Sequence, residues 1–279
     1  MVKFIVDSTF GLTKEFVERY DIKVVSLTVL INGNEYDEGY RETWPELYRQ
    51  LAESKNGGKT SQPSPEKFKK AIEQIYEQDP DSEILIFTIA DRLSGTIGSA
   101  NIAVADFPDK KIKAVNSGEA GPSALMFMHE IVKAQQAGAT FEELLALSDD
   151  LRERIAMQFI PASLTELARG GRVNKLLSCV GNILKLKPVF EFAKNDLSIY
   201  AKSIGFNRAA EAAISHLPQK FDRILLYYIG DDKYIDPLKV HLERRLGITE
   251  FEVEPMCLVG GIHIGIGTVG IVTLASKDS

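Results

Sequence analysis

Two α/β domains are what this sequence predicts: an N-terminal, mostly parallel three-layer α/β domain over 1–150 and a C-terminal α+β sandwich with a mixed sheet over 151–279. Three observations carry the expectation. At 279 residues the chain is longer than one ordinary core and suits two domains. Up to about residue 150, short apolar runs alternate with helical patterns, the signature of a parallel sheet covered by helices on both faces. Beyond that point a hairpin signal interrupts the alternation, which calls for antiparallel pairing as well.

Taken in order, 2–6 is a short apolar run that ends in Asp7-Ser8-Thr9. The hydroxyl of Thr13 can cap a following helix, with Glu15 favourable in its first turn. The run 22–31 is rich in Val, Leu and Ile and turns at Asn32-Gly33. Segments 44–54 and 65–78 follow helical spacing, the second with Ser64 as N-cap and Pro65 as first residue, where the missing N–H costs nothing. "EILIFTIA" (83–90) reads as a strand buried on both faces. A helix over 94–106, a strand over 112–116 and a helix over 119–136, stopped at Gly138, follow. Thr140-Phe141-Glu142-Glu143 has the pattern of a capping box. The second half offers a strand (155–163), a loop "ARGGRV", an apolar helix "NKLLSCVGNILKL", and strands "KPVFEFA" and "LSIYAKS" around Lys194-Asn195-Asp196. A helix (207–216), a strand (223–229), a helix (235–246) and two strands around "VGGIHIGIG" complete the chain.

Apolar residues make up 44% and charged residues 26%, which excludes collagen-like, disordered and disulfide scaffolds. The formal charge of −6, with no basic tail, argues against a nucleic-acid partner. "MVKFIVDST" reads as a buried strand and not a signal peptide, and no run reaches the roughly 18 apolar residues of a membrane span. A cytoplasmic location is therefore expected. Cys179 and Cys257 make no disulfide framework, and no CxxC pair or His/Cys cluster has metal-ligand spacing, so neither metal nor cofactor is expected.

Three places in the first half share one geometry, a strand end followed by polar residues and a helix start: Asp7-Ser8-Thr9, Leu93-Ser94-Gly95-Thr96 and Asn116-Ser117-Gly118. In an open parallel sheet such carboxyl ends line the ligand crevice, and helix N-termini there suit an anion. "LSGT" is the best of them, with Gly95 permitting close approach and Ser94 and Thr96 adding hydroxyl donors. The plain alternative is that Ser94 only caps its helix. "TSQPSP" (60–65) poses a related question, since Ser64 and Pro65 start a helix but Thr60 and Ser61 sit ahead of it on a segment that Pro63 stiffens. "GGIHIGIGTVG" (260–270) has five glycines around His263, unusual text for a strand unless backbone approaches something closely. It is neither a dinucleotide fingerprint nor a phosphate loop. His263 can donate to an anion or move a proton; the plain alternative is a structural histidine. Ser94 with His263 also invites a hydrolase or acyltransferase, but "DRLSG" lacks the first glycine of the nucleophile elbow and no Asp stands out as a third member.

"DST" after the first strand, "TSQPSP", "LSGT" with Ser99-Ala100 beyond it, "GGRV" and the late G-x-H-x-G-x-G occur in the order seen in the DegV family, which the whole chain resembles. The resemblance implies a non-catalytic protein that binds one long-chain fatty acid, such as hexadecanoate, between two α/β domains. It further implies the role of acyl-carrying subunit for a bacterial fatty acid kinase, whose separate ATP-binding partner phosphorylates the carboxylate. It places the carboxylate contacts on Thr60, Ser94 and His263, with Ser61, Gly95 and Thr96 as neighbouring donors. Arg169 and Arg172 of "ARGGR" are the candidate contacts to the kinase. The chain departs from the family at Gly11 and Asn116, where Asp is common, and at Ile266, where Pro is common. It departs also at Ile204-Gly205-Phe206, where an arginine linked to kinase docking often stands.

Overall fold

A computed structural model describes residues 2–172 and 186–277. The chain divides into two compact units, one of residues 1–152 together with 257–259, the other of 153–256 and 260–279. A division in sequence order at residue 150 does not contain the short return of 257–259 to the first unit.

The first unit is built on the parallel sheet of β1 (Val2–Asp7), β2 (Ile22–Val25), β6 (Glu83–Thr88) and β7 (Ile112–Asn116), in the order β2-β1-β6-β7. Alternation on these strands sorts the core into two layers. Ile5, Ile84 and Ile86 pack with Phe68, Ile72 and Ile75 of α3 (Pro65–Gln78) and with Ala100 and Ala103 of α4 (Thr96–Val104). On the other face Phe4 meets Phe87, and Phe87 meets Phe127 of α5 (Pro122–Gln136) with ring centroids 5.2 Å apart. The single apolar run expected over 22–31 is two strands in different sheets. After β2 the chain breaks at Ser26-Leu27, and β3 (Thr28–Ile31) pairs antiparallel with β4 (Asn34–Asp37) and β5 (Gly58–Ser61). The turn between β3 and β4 has Asn32 at φ 52° and Gly33 at φ 85°, the left-handed pair of a tight hairpin. Helices α1 (Lys14–Arg19) and α2 (Trp44–Glu53) complete the elements named so far, and the Thr13 side chain accepts the Phe16 N–H as a cap should.

α6 (Phe141–Arg154) opens with the expected box: Glu143 accepts from Thr140 N at 2.8 Å, and Glu143 N donates to Thr140 Oγ1. The second unit carries a six-stranded mixed sheet of β8 (Ile155–Ile160), β9 (Leu186–Ala193), β10 (Asp196–Ile204), β11 (Phe221–Tyr228), β12 (Glu252–Pro255) and β13 (Val269–Ala275), ordered β10-β9-β8-β13-β11-β12. Among the described residues of this sheet, only β11 and β12 pair in parallel. Lys194 and Asn195, at φ 53° and 59°, make the two-residue β9–β10 turn. Two local expectations need correction. "ARGGR" is not all loop: it ends α7 (Leu164–Gly170), whose last turn is closed by left-handed Gly171. Nor does the glycine-rich stretch join two strands directly. After α8 (Phe206–Ser215) and α9 (Ile235–Leu246), it opens as a helix, α10 (Leu258–Ile264), before β13 begins. The apolar helix expected over 174–186 lies outside the described residues, apart from Leu186 at the start of β9.

Candidate functional site

At the carboxyl end of the parallel sheet the three polar junctions divide by what their side chains do. Asp7 is fully buried and accepts from Thr9 Oγ1 at 2.5 Å, Thr9 N at 3.0 Å and Ile89 N at 2.6 Å, tying the end of β1 to that of β6. Burial pushes its carboxyl up to about 6, against the pull of the Thr9 and Ile89 bonds. Ser8 Oγ donates to Glu38 at 2.6 Å and accepts from Leu27 N. Ser117 Oγ donates to the Thr88 carbonyl at 2.7 Å and accepts from Glu119 N, while Asn116 Oδ1 accepts from Asp91 N and Gly118 N. These two junctions spend their polar groups on holding strand ends together.

The third junction does not. Gly95 is the N-cap of α4 and no side chain caps the helix, so Ser94 is not a cap. Its Oγ lies 2.9 Å from Thr96 Oγ1. Two hydroxyls bonded to each other keep one O–H to donate outward, at the positive end of a helix. Thr60 and Ser61 are on β5, and the segment that follows them reaches the same helix through Gln62, whose Nε2 donates to Ser99 Oγ at 2.8 Å.

In the second unit His263 is largely buried on α10. Its Nδ1 lies 2.9 Å from the Gly170 carbonyl, which can only accept, so the ring hydrogen is on Nδ1. Burial first, and then the Arg172 guanidinium, push its pKa down to about 4, with the Gly170 bond pulling the other way. The ring is neutral near pH 7 and Nε2 is its accepting nitrogen. Three glycines of the late stretch, and Gly170 opposite His263, are accounted for by the chain's own atoms and turns. A Cβ on Gly170 would lie 2.0 Å from the His263 carbonyl oxygen, and one on Gly270 would lie 2.1 Å from the Gln158 carbonyl and 2.4 Å from the Tyr227 ring. Gly265 and Gly267 have φ of +102° and +81°. Arg169 and Arg172 are exposed, Arg172 donating to the Gly170 carbonyl.

A hydrolytic triad finds no support in these bonds. Such a serine is bonded to an imidazole, and an acid orients the imidazole's other nitrogen; here Ser94 is bonded to Thr96, and Nδ1 of His263 to a peptide carbonyl.

Two buried acids escaped sequence reading. Glu38 accepts from Ser8 Oγ and, at 2.7 Å, from the N–H of Val259 in the first turn of α10; burial raises its carboxyl to about 7. Glu119 is buried ahead of α5 with neither oxygen hydrogen-bonded among the described residues, the nearby Ser123 hydroxyl being turned to the Ala120 carbonyl. Its carboxyl is held well above the usual range by burial. No pattern in the sequence marks either residue, since each is defined by strands distant along the chain. Among the described residues no group of three or more His, Cys, Asp or Glu could hold a metal ion. No helix there is long and apolar enough to cross a membrane.

The family model described as "Uncharacterised protein, DegV family" matches residues 1–276. The chain belongs to the DegV family. It is 30% identical to the fatty acid-binding protein of Thermotoga maritima, over 96% of each chain. A solved structure of a DegV protein from Thermus thermophilus, described as showing fatty acid binding, is 28% identical with a TM-score of 0.86 over 99% of each chain. A DegV lipid-binding protein from Thermotoga maritima is also 28% identical, with a TM-score of 0.84 over 98% of each. These DegV likenesses span both units, and the two-domain α/β architecture of the family is that of this chain.

Proposed function

We propose that this protein is a non-catalytic carrier of one long-chain fatty acid, with Thr60, Ser61, Ser94, Gly95, Thr96 and His263 contacting its carboxyl group. The observation that carries the proposal is the Ser94–Thr96 hydroxyl pair, left uncapped at the start of α4 beside the β5 loop. A neutral, donor-rich cradle at a helix N-terminus suits a carboxylate without requiring a buried lysine. The likeness to DegV proteins described as binding fatty acids supports the same ligand class. A sixteen-carbon tail taken out of water contributes on the order of 10 kcal/mol, at about 0.8 kcal/mol per methylene, so the head-group bonds chiefly fix orientation.

The carrier presents the carboxyl group to a separate ATP-dependent fatty acid kinase, with Arg169 and Arg172 as its exposed basic contacts. Denaturing mass spectrometry of lipid extracted from the purified protein tests the core of the proposal. An intact free fatty acid at about one equivalent is expected. An acyl adduct on Ser94, or protein that neither carries nor takes up fatty acid, overturns it. The kinase role has its own assay: acyl-phosphate should form only when an ATP-binding kinase subunit is added, and phosphoryl transfer by the isolated protein would refute it.

A further inference from the structure

We propose that Gln62 is the positioning residue of the head-group site, strapping the segment after Thr60 and Ser61 onto α4 and thereby setting the spacing between the Thr60 and Ser94 hydroxyls. This rests on the fatty-acid reading above and adds to it a residue that contacts no ligand.

The Gln62 amide lies against the start of α4, bonded to it through its nitrogen, although the residue itself is exposed. Nε2 donates to Ser99 Oγ at 2.8 Å, a bond joining positions 37 apart in sequence. Oε1 lies over Gly95, 2.5 Å from where a Cβ on that glycine would stand. Gly95 has φ −75° and ψ 12°, which any residue can adopt. Its lack of a side chain is therefore a matter of room, and the room is taken by the Gln62 amide.

The segment around Gln62 leaves little slack. β5 ends at Ser61, Pro63 is buried, and α3 begins at Pro65. With β5 held in register by β3, Thr60 opposite Val29, the position of the Gln62 side chain decides how the end of this strand meets the start of α4. A carboxyl group bonded by hydroxyls from both elements needs those hydroxyls placed to within about 0.5 Å. An exposed side chain that is bonded to α4 through Nε2, and whose Oε1 stands against the N-cap Gly95 next to Ser94, has that placement as its effect. It also accounts for the carboxamide in "TSQPSP", which neither the helix start nor the hydroxyl pair explains.

Calorimetric titration of hexadecanoic acid and of hexadecanol into lipid-stripped wild type, Gln62→Ala, Ser99→Ala and the double variant tests this. Gln62→Ala should weaken the acid about three- to tenfold and leave the alcohol within about twofold, with thermal stability nearly unchanged. Ser99→Ala should do the same, and the double variant should be no weaker than either single one, because both remove one strap. Gly95→Ala, which pushes a methyl into the amide, should reproduce the acid-selective loss. Unchanged acid affinity in Gln62→Ala, equal losses for acid and alcohol, or additive losses in the double variant would each overturn the assignment of Gln62 while leaving fatty-acid binding standing. Wild type that binds neither ligand would overturn the fatty-acid reading, and this inference with it.

Discussion

At the residue scale, two side chains carry distinct predictions. Ser94 is bonded to Thr96 and caps nothing, so its loss should be felt by the ligand and not by the fold. Ser94→Ala should weaken fatty-acid binding by about 1–3 kcal/mol, roughly tenfold, and a fatty alcohol of equal length much less. Calorimetry with both ligands decides it, and equal losses would sink the head-group role. His263 corrects a simple picture in which imidazolium donates to an anion. With its pKa near 4 and its hydrogen on Nδ1, the ring would have to meet a carboxyl group, on the reading proposed above, through an accepting nitrogen. Binding at pH 7 should then take up about one proton, shared between ring and acid, and affinity should fall as pH rises through neutrality. Titration in two buffers of different ionisation enthalpy counts that proton. His263→Phe should abolish the uptake, and a wild type without uptake refutes the linkage.

Glu38 makes the complementary prediction for stability. Its folded pKa of about 7 lies above the ordinary 4.5, so between those values the folded protein holds a proton that the unfolded chain has released. Its contribution is present in full below about 4.5 and is lost as pH rises to about 7. Melting temperatures of wild type and Glu38→Gln, compared from pH 5 to 8, should show the wild type losing ground relative to the variant as pH rises. Parallel profiles would show that the carboxyl does not titrate there.

At the element scale, the contact of α7 with α10 depends on one absent side chain. A methyl at position 170 would stand 2.0 Å from the His263 carbonyl oxygen, backbone that cannot step aside as a flexible side chain would. Gly170→Ala should cost about 1–3 kcal/mol or more by forcing the helices apart, and it should disturb the bond that sets the His263 tautomer. Denaturant unfolding measures the first effect and the imidazole NMR shifts the second. A variant as stable as wild type, with unchanged His263 resonances, would show the contact to be loose. Helix ends were read well where the signal is local: Thr13 caps α1, and Thr140 with Glu143 closes the box at α6. Where glycine serves packing the local signal misleads: the helix α10 lies in glycine-rich text that suggests a link between strands, and α7 runs into the loop-like "ARGGR".

At the scale of the whole molecule, ligand linkage is the measurable consequence. A fatty acid that binds the folded chain alone stabilises it by about 2.7 kcal/mol at a free concentration of 100 times Kd. Stripping bound lipid should lower the melting temperature, and hexadecanoate should restore it while a matched short-chain acid does not. A melting point indifferent to both would contradict the carrier role. The run 125–128 is packed core: Phe127 meets the rings of Phe10 and Phe87.

The two α/β domains, the parallel sheet and the hairpin at Lys194-Asn195 were legible in the sequence by itself, because alternation, apolar runs and turn residues act over a few neighbours. The polar loops at 60–65 and 94–96 and the glycines around His263 were legible as text, but not in their roles. Whether Ser94 caps a helix or faces the hydroxyl of Thr96 depends on how the chain turns there, and whether His263 is charged and whether Gly95 makes room for a ligand or for Gln62 depend on atoms tens of residues away. Glu38, bonded to Ser8 and Val259, is the extreme case. A carboxyl group's proton is decided by how much water its surroundings exclude and which donors they aim at it, and only the tertiary structure supplies both.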